Sequence, residues 1–170
     1  MEGPVVLLNT TMAILFSLCL FECSLFSDSS YDDDVANDRS ILEEIIKSNP
    51  VLDSAVKAGH DFLPTSTESM QITGDLILSN LGLNNTNFHF PTSIHKFKIV
   101  NHANLMSNDF TDLPQGVYQR KWNVVLVLGN KMCKPSQETI DYLDNLMKSY
   151  PGGYWRDSQR CAESIPAVVP

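Results

Sequence analysis

The first 27 residues decide how much of this 170-residue chain is available to fold. They contain an apolar run over 12–21, and their only charged residues are Glu2 and Glu22. An acidic segment beginning at Asp28 follows directly. This order is typical of a cleaved secretory signal peptide followed by a solvated N-terminus. We therefore predict a signal peptide over 1–27 and a secreted, extracellular protein.

Two other interpretations of this stretch stay open. It lacks the Lys or Arg of a typical signal peptide, and small residues allow cleavage at several positions between 23 and 30. An uncleaved membrane anchor is the main alternative, although 9–11 interrupts the apolar run and no basic cluster follows it. An intracellular protein is the third interpretation. No later segment is apolar enough to cross a bilayer, so a cleaved product would carry no membrane span.

The charge balance argues against a polyanionic partner. The chain has 20 acidic and 12 basic residues, and removal of Glu2 and Glu22 leaves 18 acidic residues and a net charge of about −6. The only adjacent basic pair is Arg120-Lys121. Binding to phosphate groups relies on clustered Lys and Arg side chains. We therefore expect neither nucleic acid nor an anionic membrane surface to be the main partner.

Cysteine usage follows from the predicted compartment. Cys19 and Cys23 fall inside the signal peptide, so the mature chain keeps Cys133 and Cys161. Two cysteines in an oxidising compartment most simply form one disulfide. Two free thiols are expected only if the protein is intracellular.

The triplet 84–86 has the acceptor pattern for N-glycosylation. It lies in a polar stretch between apolar segments. A secreted chain would therefore carry a glycan on Asn84, and we expect a glycoprotein.

Apolar periodicity predicts five ordered segments. Two short helices, or one kinked helix, are expected over 41–58. Strands are expected over 71–79, 94–102 and 117–128. The last strand is apolar on both faces in its second half, which is typical of a central strand. An amphipathic helix is expected over 136–150, because Ile140, Leu143 and Leu146 recur at helical spacing.

This order of elements predicts one α+β domain. We expect an antiparallel sheet of three to four strands with N-terminal helices and one C-terminal amphipathic helix. The domain would cover 40–170, after an acidic disordered N-terminus over 28–39. No internal repeat is evident in the sequence.

The sequence carries no catalytic or metal-binding signature. The four histidines lack metal-ligand spacing, and no nucleophile or nucleotide-binding motif is present. His95 lies on the presumed apolar face of a strand, and His102 and Asp109 could meet in space. The run of aspartates over 32–34 could contact calcium, but it more simply forms part of a solvated tail. We therefore expect no cofactor and no metal.

An aromatic and basic cluster is the candidate partner-binding site. It consists of Tyr150, Tyr154, Trp155 and Arg156, which surround a Pro-Gly-Gly stretch. Aromatic and Arg residues are common anchors in protein interfaces. The alternative is that these rings cover one end of the core.

Three functions are compatible with these observations. The leading one is a secreted, non-enzymatic binding or signalling protein that contacts an extracellular protein or receptor. Residues 72–83 resemble an early strand of tubular lipid-binding proteins such as insect hormone carriers, and the resemblance suggests a carrier of a small apolar ligand as the alternative. Its cavity would be lined by apolar side chains: Ile72, Leu76, Phe97, Ile99, Trp122 and Val124. The third is a secreted enzyme without a recognisable motif.

Overall fold

The computed structural model describes residues 29–147, 155–156 and 158–161. The described residues from Asp34 onward belong to one compact unit, and 29–33 belong to another. The predicted signal peptide over 1–27 lies outside the described residues, so it stays a prediction.

Short elements make up the described part of the chain. The α-helices are α1 (Ser29–Ser48), α2 (Asp53–Lys57) and α3 (Gln137–Met147); the strands are β1 (Asp75–Ile77), β2 (His102–Asn104) and β3 (Val124–Leu126); and the 3-10 helices are Pro50–Leu52, Thr92–Lys96 and Val117–Gln119. The prediction of an α+β chain with N-terminal helices and an amphipathic helix before the C-terminus is confirmed.

The three strands form one parallel sheet in the order β1-β2-β3. Asp75 aligns with His102, and His102 aligns with Val124. The predicted antiparallel sheet is therefore wrong. Consecutive strands suggested hairpins, but each connection here is a crossover long enough to return the chain to the same end of the sheet. Among the described strands β2 is central, and β3, which the sequence placed in the centre, lies at an edge.

Each strand begins a structural repeat, which the sequence did not reveal. Asp75 and His102 are 27 residues apart, and His102 and Val124 are 22 apart. Aligned positions are buried in all three units: Leu76, Ala103 and Val125; Leu78, Leu105 and Val127; Leu83, Phe110 and Met132. The unequal lengths and the varied apolar side chains hide the repeat. Stacked units of this kind bury a continuous core between neighbours.

Asn108 connects the first two repeats through its side-chain amide. It is fully buried. Its Nδ2 donates to the carbonyls of Leu78 (2.7 Å) and Leu105 (3.1 Å), and its Oδ1 accepts the amides of Leu81 (3.0 Å) and Leu83 (3.1 Å). Backbone groups of two adjacent loops are thereby satisfied by one side chain.

Asn130 takes the equivalent position in the third repeat and is also fully buried. Its Nδ2 donates to the carbonyls of Leu105 and Val127, both at 2.9 Å. Its Oδ1 accepts the amide of Phe110 at 3.1 Å. The two asparagines thus form a ladder along the stack of repeats.

Helix α1 includes residues 29–39, for which the sequence predicted disorder. The carboxylate of Asp38 explains part of the difference, because it is fully buried and accepts three backbone amides. These belong to Lys98 (2.7 Å), Ile99 (2.9 Å) and Val100 (2.8 Å). A buried carboxylate is tolerated when it is hydrogen-bonded in this way. Asp38 therefore holds α1 against the loop that leads into β2.

Replacing Asp38 with asparagine is expected to lower the free energy of unfolding by about 2 kcal/mol. The substitution removes the negative charge and turns an NH2 group toward backbone amides that need an acceptor. Urea unfolding followed by circular dichroism measures the difference. Glu43→Gln on the same helix is the control, since Glu43 is exposed, and it should change stability by less than about 0.5 kcal/mol. Equal effects of the two substitutions would contradict this role of Asp38.

The segment 41–58 contains the end of α1 and the whole of α2, separated by the 3-10 helix Pro50–Leu52, which agrees with the two short helices expected there. Asn49 lies at the break and is buried. It donates to the carbonyls of Ile45 (2.7 Å) and His89 (2.9 Å), and it accepts the amide of His89 at 2.9 Å. The break in the helix is therefore fixed by a contact distant in sequence.

The predicted strand over 94–102 is a 3-10 helix at its start and reaches β2 only at its last residue. Its buried residues are Ile94, Phe97 and Val100, which recur every three positions. That period fits 3-10 geometry better than the two-residue period of a strand. His95, expected on an apolar face, is exposed.

The predicted strand over 117–128 is also shorter than expected. It divides into the 3-10 helix Val117–Gln119 and the strand β3. Val125 and Val127 face the core, whereas Val124 and Leu126 are partly exposed. The outer side of β3 is therefore an apolar part of the protein surface.

Candidate functional site

The predicted disulfide between Cys133 and Cys161 is present. The two Cα atoms are 5.5 Å apart, and both residues are exposed. The bond attaches the C-terminal segment, which we define as 155–156 and 158–161, to the loop after β3.

Hydrogen bonds also hold the C-terminal segment beside the third repeat. The carbonyl of Ser158 accepts the amide of Gly129 at 3.0 Å. The amide of Arg160 donates to the carbonyl of Asn130 at 2.5 Å. The C-terminal segment therefore covers the chain just beyond β3, where a further repeat would otherwise stack.

An ion cluster lies beside the same segment. The Asp109 carboxylate is 3.0 Å from the ammonium of Lys131 and 2.9 Å from the guanidinium of Arg160. Its hydrogen bond with Lys131 is the main cause that holds the pKa of Asp109 below its ordinary value. The possible meeting of Asp109 with His102 does not occur, because His102 pairs with Asp75.

The predicted aromatic cluster is only partly described, since Tyr150 and Tyr154 lie outside the described residues. Trp155 is buried, and its indole N–H donates to Asp144 Oδ1 at 3.1 Å. The Arg156 guanidinium lies 4.6 Å from the centre of the Trp155 ring and 2.6 Å from the same carboxylate. Trp155 therefore covers the core, and its ring is not an exposed anchor.

Asn84, the predicted glycosylation site, begins a turn directly after the buried Leu83. The amide of Phe88 donates to the Asn84 carbonyl at 3.1 Å and closes this turn. The acceptor triplet thus lies between the first strand and the 3-10 helix that follows it.

A groove lies over the outer side of the parallel sheet. We define the sheet face by the outward residues of the three strands: Asp75, Ile77, His102, Asn104, Val124 and Leu126. All six are partly exposed. They line a shallow groove of about 400 Å³ together with Ala103. Because side chains alternate along a strand, the inward neighbours of these residues build the core.

A second groove of about 410 Å³ continues from the sheet face toward α3. It shares His102 and Val124 with the first, and its other lining residues are Lys121, Trp122, Asn123, Asn145 and Leu146. Nearby, burial raises the pKa of Tyr142 to about 12.

The two halves of the sheet face differ in chemistry. On the β1 and β2 side, Asp75 Oδ1 is 3.0 Å from His102 Nδ1, and the Thr73 hydroxyl donates to Asp75 Oδ2 at 2.7 Å. On the β3 side, Val124 and Leu126 form an aliphatic strip. None of the six residues is Lys or Arg, although the chain contains 12.

The Asp75–His102 pair has the orientation of a base and its positioning carboxylate, but no nucleophile accompanies it within the described residues. No hydroxyl or thiol in the described part of the chain is hydrogen-bonded to the other ring nitrogen of His102. Asp–His pairs in hydrolases serve a nucleophile at that nitrogen. Within the described residues, no three side chains of the types His, Cys, Asp and Glu lie together in a way that could hold a metal ion.

The residues expected to line a carrier cavity lie on opposite sides of the sheet. Leu76, Phe97 and Trp122 belong to the packed core, and the rings of Phe97 and Trp122 lie 6.4 Å apart. Val124 is on the sheet face instead. The structure therefore does not bring the six residues to one cavity.

The sheet face was missed by sequence reasoning, although two signals were present. Asn108 and Asn130 are 22 residues apart, the same separation as His102 and Val124. Each asparagine is followed two positions later by a buried apolar residue. Alignment of the chain on these asparagines would have revealed the repeat, and with it the parallel sheet.

Comparison of the chain with models of known families, with curated proteins and with solved structures found no match. Among the described residues, no helix has both the length and the apolar character that crossing a membrane requires.

Proposed function

We propose that this chain is a secreted, non-enzymatic protein that binds another extracellular protein through its sheet face. One observation carries the proposal: the sheet face contains a single Asp–His pair and otherwise uncharged side chains, in a chain with 20 acidic and 12 basic residues. The fully buried centre of a protein interface is depleted of charge in the same way.

The repeat architecture supports this assignment. The spacing of buried positions in the second repeat, with Ala103, Leu105, Asn108 and Phe110, follows the pattern L-x-x-L-x-L-x-x-N-x-L of leucine-rich repeats. Proteins built from such repeats use the surface of the stacked strands to bind partners. We therefore infer a short leucine-rich-repeat module.

The chemistry of the sheet face indicates the kind of partner. The aliphatic strip of Val124 and Leu126 suits a partner surface with aliphatic or aromatic side chains. The polar half offers Asn104 and His102, on the central strand β2, for hydrogen bonds. Because the contact would contain few charges, its affinity should depend little on ionic strength.

The extracellular location is part of the same proposal. The Cys133–Cys161 disulfide fits an oxidising compartment. The apolar run over 12–21 would direct the chain there. In that compartment, Asn84 would also be available for glycosylation.

The proposal is tested by capture from extracellular fluid with matched lysine variants. Leu126→Lys places a charge in the aliphatic strip. Val56→Lys places the same charge on α2, where Val56 is 45% exposed and lines neither groove. Partners captured by the wild-type protein are identified by mass spectrometry, and their affinities for both variants are then measured.

We expect a partner that binds the wild-type protein and Val56→Lys equally, and binds Leu126→Lys at least tenfold more weakly, as at interface hot spots. Thermal unfolding verifies that both variants fold. Equal binding of the two variants would refute the sheet face as the binding surface. Retention of the full-length chain in cell membranes would refute secretion.

A further inference from the structure

The side-chain oxygen of Asn84 organises the turn in which it lies. Oδ1 accepts the backbone amide of Thr86 at 2.8 Å and its hydroxyl at 2.6 Å. It also accepts the amide of Asn87 at 3.1 Å. Asparagine side chains stabilise turns in this way because their oxygen mimics a backbone carbonyl.

The side-chain nitrogen of Asn84 is left for solvent. Nδ2 makes no hydrogen bond to any described residue, and it is not among the buried unpaired atoms. The neighbouring Asn85 differs, since its Nδ2 donates to the carbonyls of Asp112 (2.9 Å) and Leu113 (3.3 Å). Of these two adjacent asparagines, only Asn84 has a side-chain nitrogen without a hydrogen bond to a described residue.

We propose that Asn84 Nδ2 carries an N-linked glycan in the mature protein, an inference that rests on the proposed secretion. A lipid-linked oligosaccharide diphosphate is the donor. A bond forms between Nδ2 and the anomeric carbon of the first sugar, and the bond between that carbon and the diphosphate oxygen breaks. The lipid diphosphate leaves with the electron pair, and the amide loses one proton.

The folded turn accommodates this product. The glycan is attached through Nδ2, so Oδ1 keeps all of its hydrogen bonds to Thr86 and Asn87. The turn is joined through Asn85 to the segment 111–113, which contributes no residue to the sheet face. A glycan on Asn84 is therefore compatible with binding at the sheet face.

Site occupancy is measured on the full chain expressed in a secreting eukaryotic cell line. Protein from the medium is treated with an amidase that removes N-glycans and converts the carrier asparagine to aspartate, and peptide mapping then locates the conversion. Thr86→Ser retains the acceptor pattern, and Thr86→Val removes it. Asn84→Asp reproduces the product of the amidase and keeps the acceptor oxygen.

We expect conversion at position 84 in the wild-type protein and in Thr86→Ser, and none in Thr86→Val. Amidase-treated wild-type protein and Asn84→Asp should have the same intact mass, because the two are then the same covalent chain. Protein in the medium with unmodified Asn84 would overturn the glycan and leave secretion intact. Full-length protein that stays inside the cell without a glycan would overturn both. Loss of binding at the sheet face with Asn84 glycosylated would overturn only the proposed binding surface.

Discussion

Replacing Asn108 with alanine is expected to lower the free energy of unfolding by about 4 kcal/mol. The substitution removes the donor for the carbonyls of Leu78 and Leu105 and the acceptor for the amides of Leu81 and Leu83. These groups lie around a fully buried side chain, where water does not readily replace the lost partners. Equilibrium unfolding in urea, followed by far-ultraviolet circular dichroism, measures the change.

Asn123→Ala is the matched control for this experiment. Asn123 is exposed, and its side chain makes no hydrogen bond within the described part of the chain. Its replacement should change stability by less than about 0.5 kcal/mol. If Asn108→Ala cost no more than Asn123→Ala, the asparagine ladder would have no role in holding the repeats together.

Removing the disulfide by a double substitution, Cys133→Ser with Cys161→Ser, is expected to cost about 3–4 kcal/mol. The two cysteines are separated by 28 positions in sequence, and the bond restricts the unfolded chain by closing that loop. Both residues are exposed, so the serines remain hydrated and add little penalty of their own. Urea unfolding without reductant gives the difference.

Reductant supplies the control for the disulfide. Wild-type protein unfolded in the presence of a dithiol should match the double variant, and the variant itself should not respond to the dithiol. Hydrogen exchange adds a local measurement, because the Gly129 amide that donates to Ser158 should exchange faster once the C-terminal segment is released. A reduced wild-type protein as stable as the oxidised one would contradict the prediction.

The local sequence pattern was sufficient to predict the disulfide and the C-terminal helix, because each depends on a single property of nearby residues. Two cysteines follow the predicted signal peptide and have only one intramolecular pairing, and the predicted bond is present. The spacing of Ile140, Leu143 and Leu146 likewise predicted a helix, and Gln137–Met147 confirms it within the described residues. Neither inference depends on how distant parts of the chain are arranged.

The direction of the strands could not be obtained from such patterns. Strand direction depends on where each connection returns, and here the connections contain 3-10 turns whose buried residues resembled strand residues. The helix over 29–39 was missed for a similar reason. Its Asp38 looked like part of a solvated acidic run, and only its contact with 98–100 shows that it is buried.

Exposure did not follow from residue type. Trp155 suggested an exposed anchor, yet the residue is 2% exposed, whereas Arg156 is exposed, and Tyr150 and Tyr154 lie outside the described residues. Val124 and Leu126 suggested the covered face of a central strand, yet they lie on the outer side of an edge strand. In a sheet with apolar side chains on both faces, the sequence does not distinguish the core face from a binding face.

Side chains along the strands point alternately into the core and outward, and substitutions at these two kinds of position have different consequences in evolution. Inward positions such as Leu76, Ala103 and Val125 are fixed by packing, because a change in their volume disturbs the neighbouring repeat. Outward positions touch little of the core, so their side chains can be exchanged at small cost in stability. Substitution at the six positions of the sheet face could therefore give this scaffold a chosen binding specificity, and the scaffold offers a compact framework for selecting binders from a library.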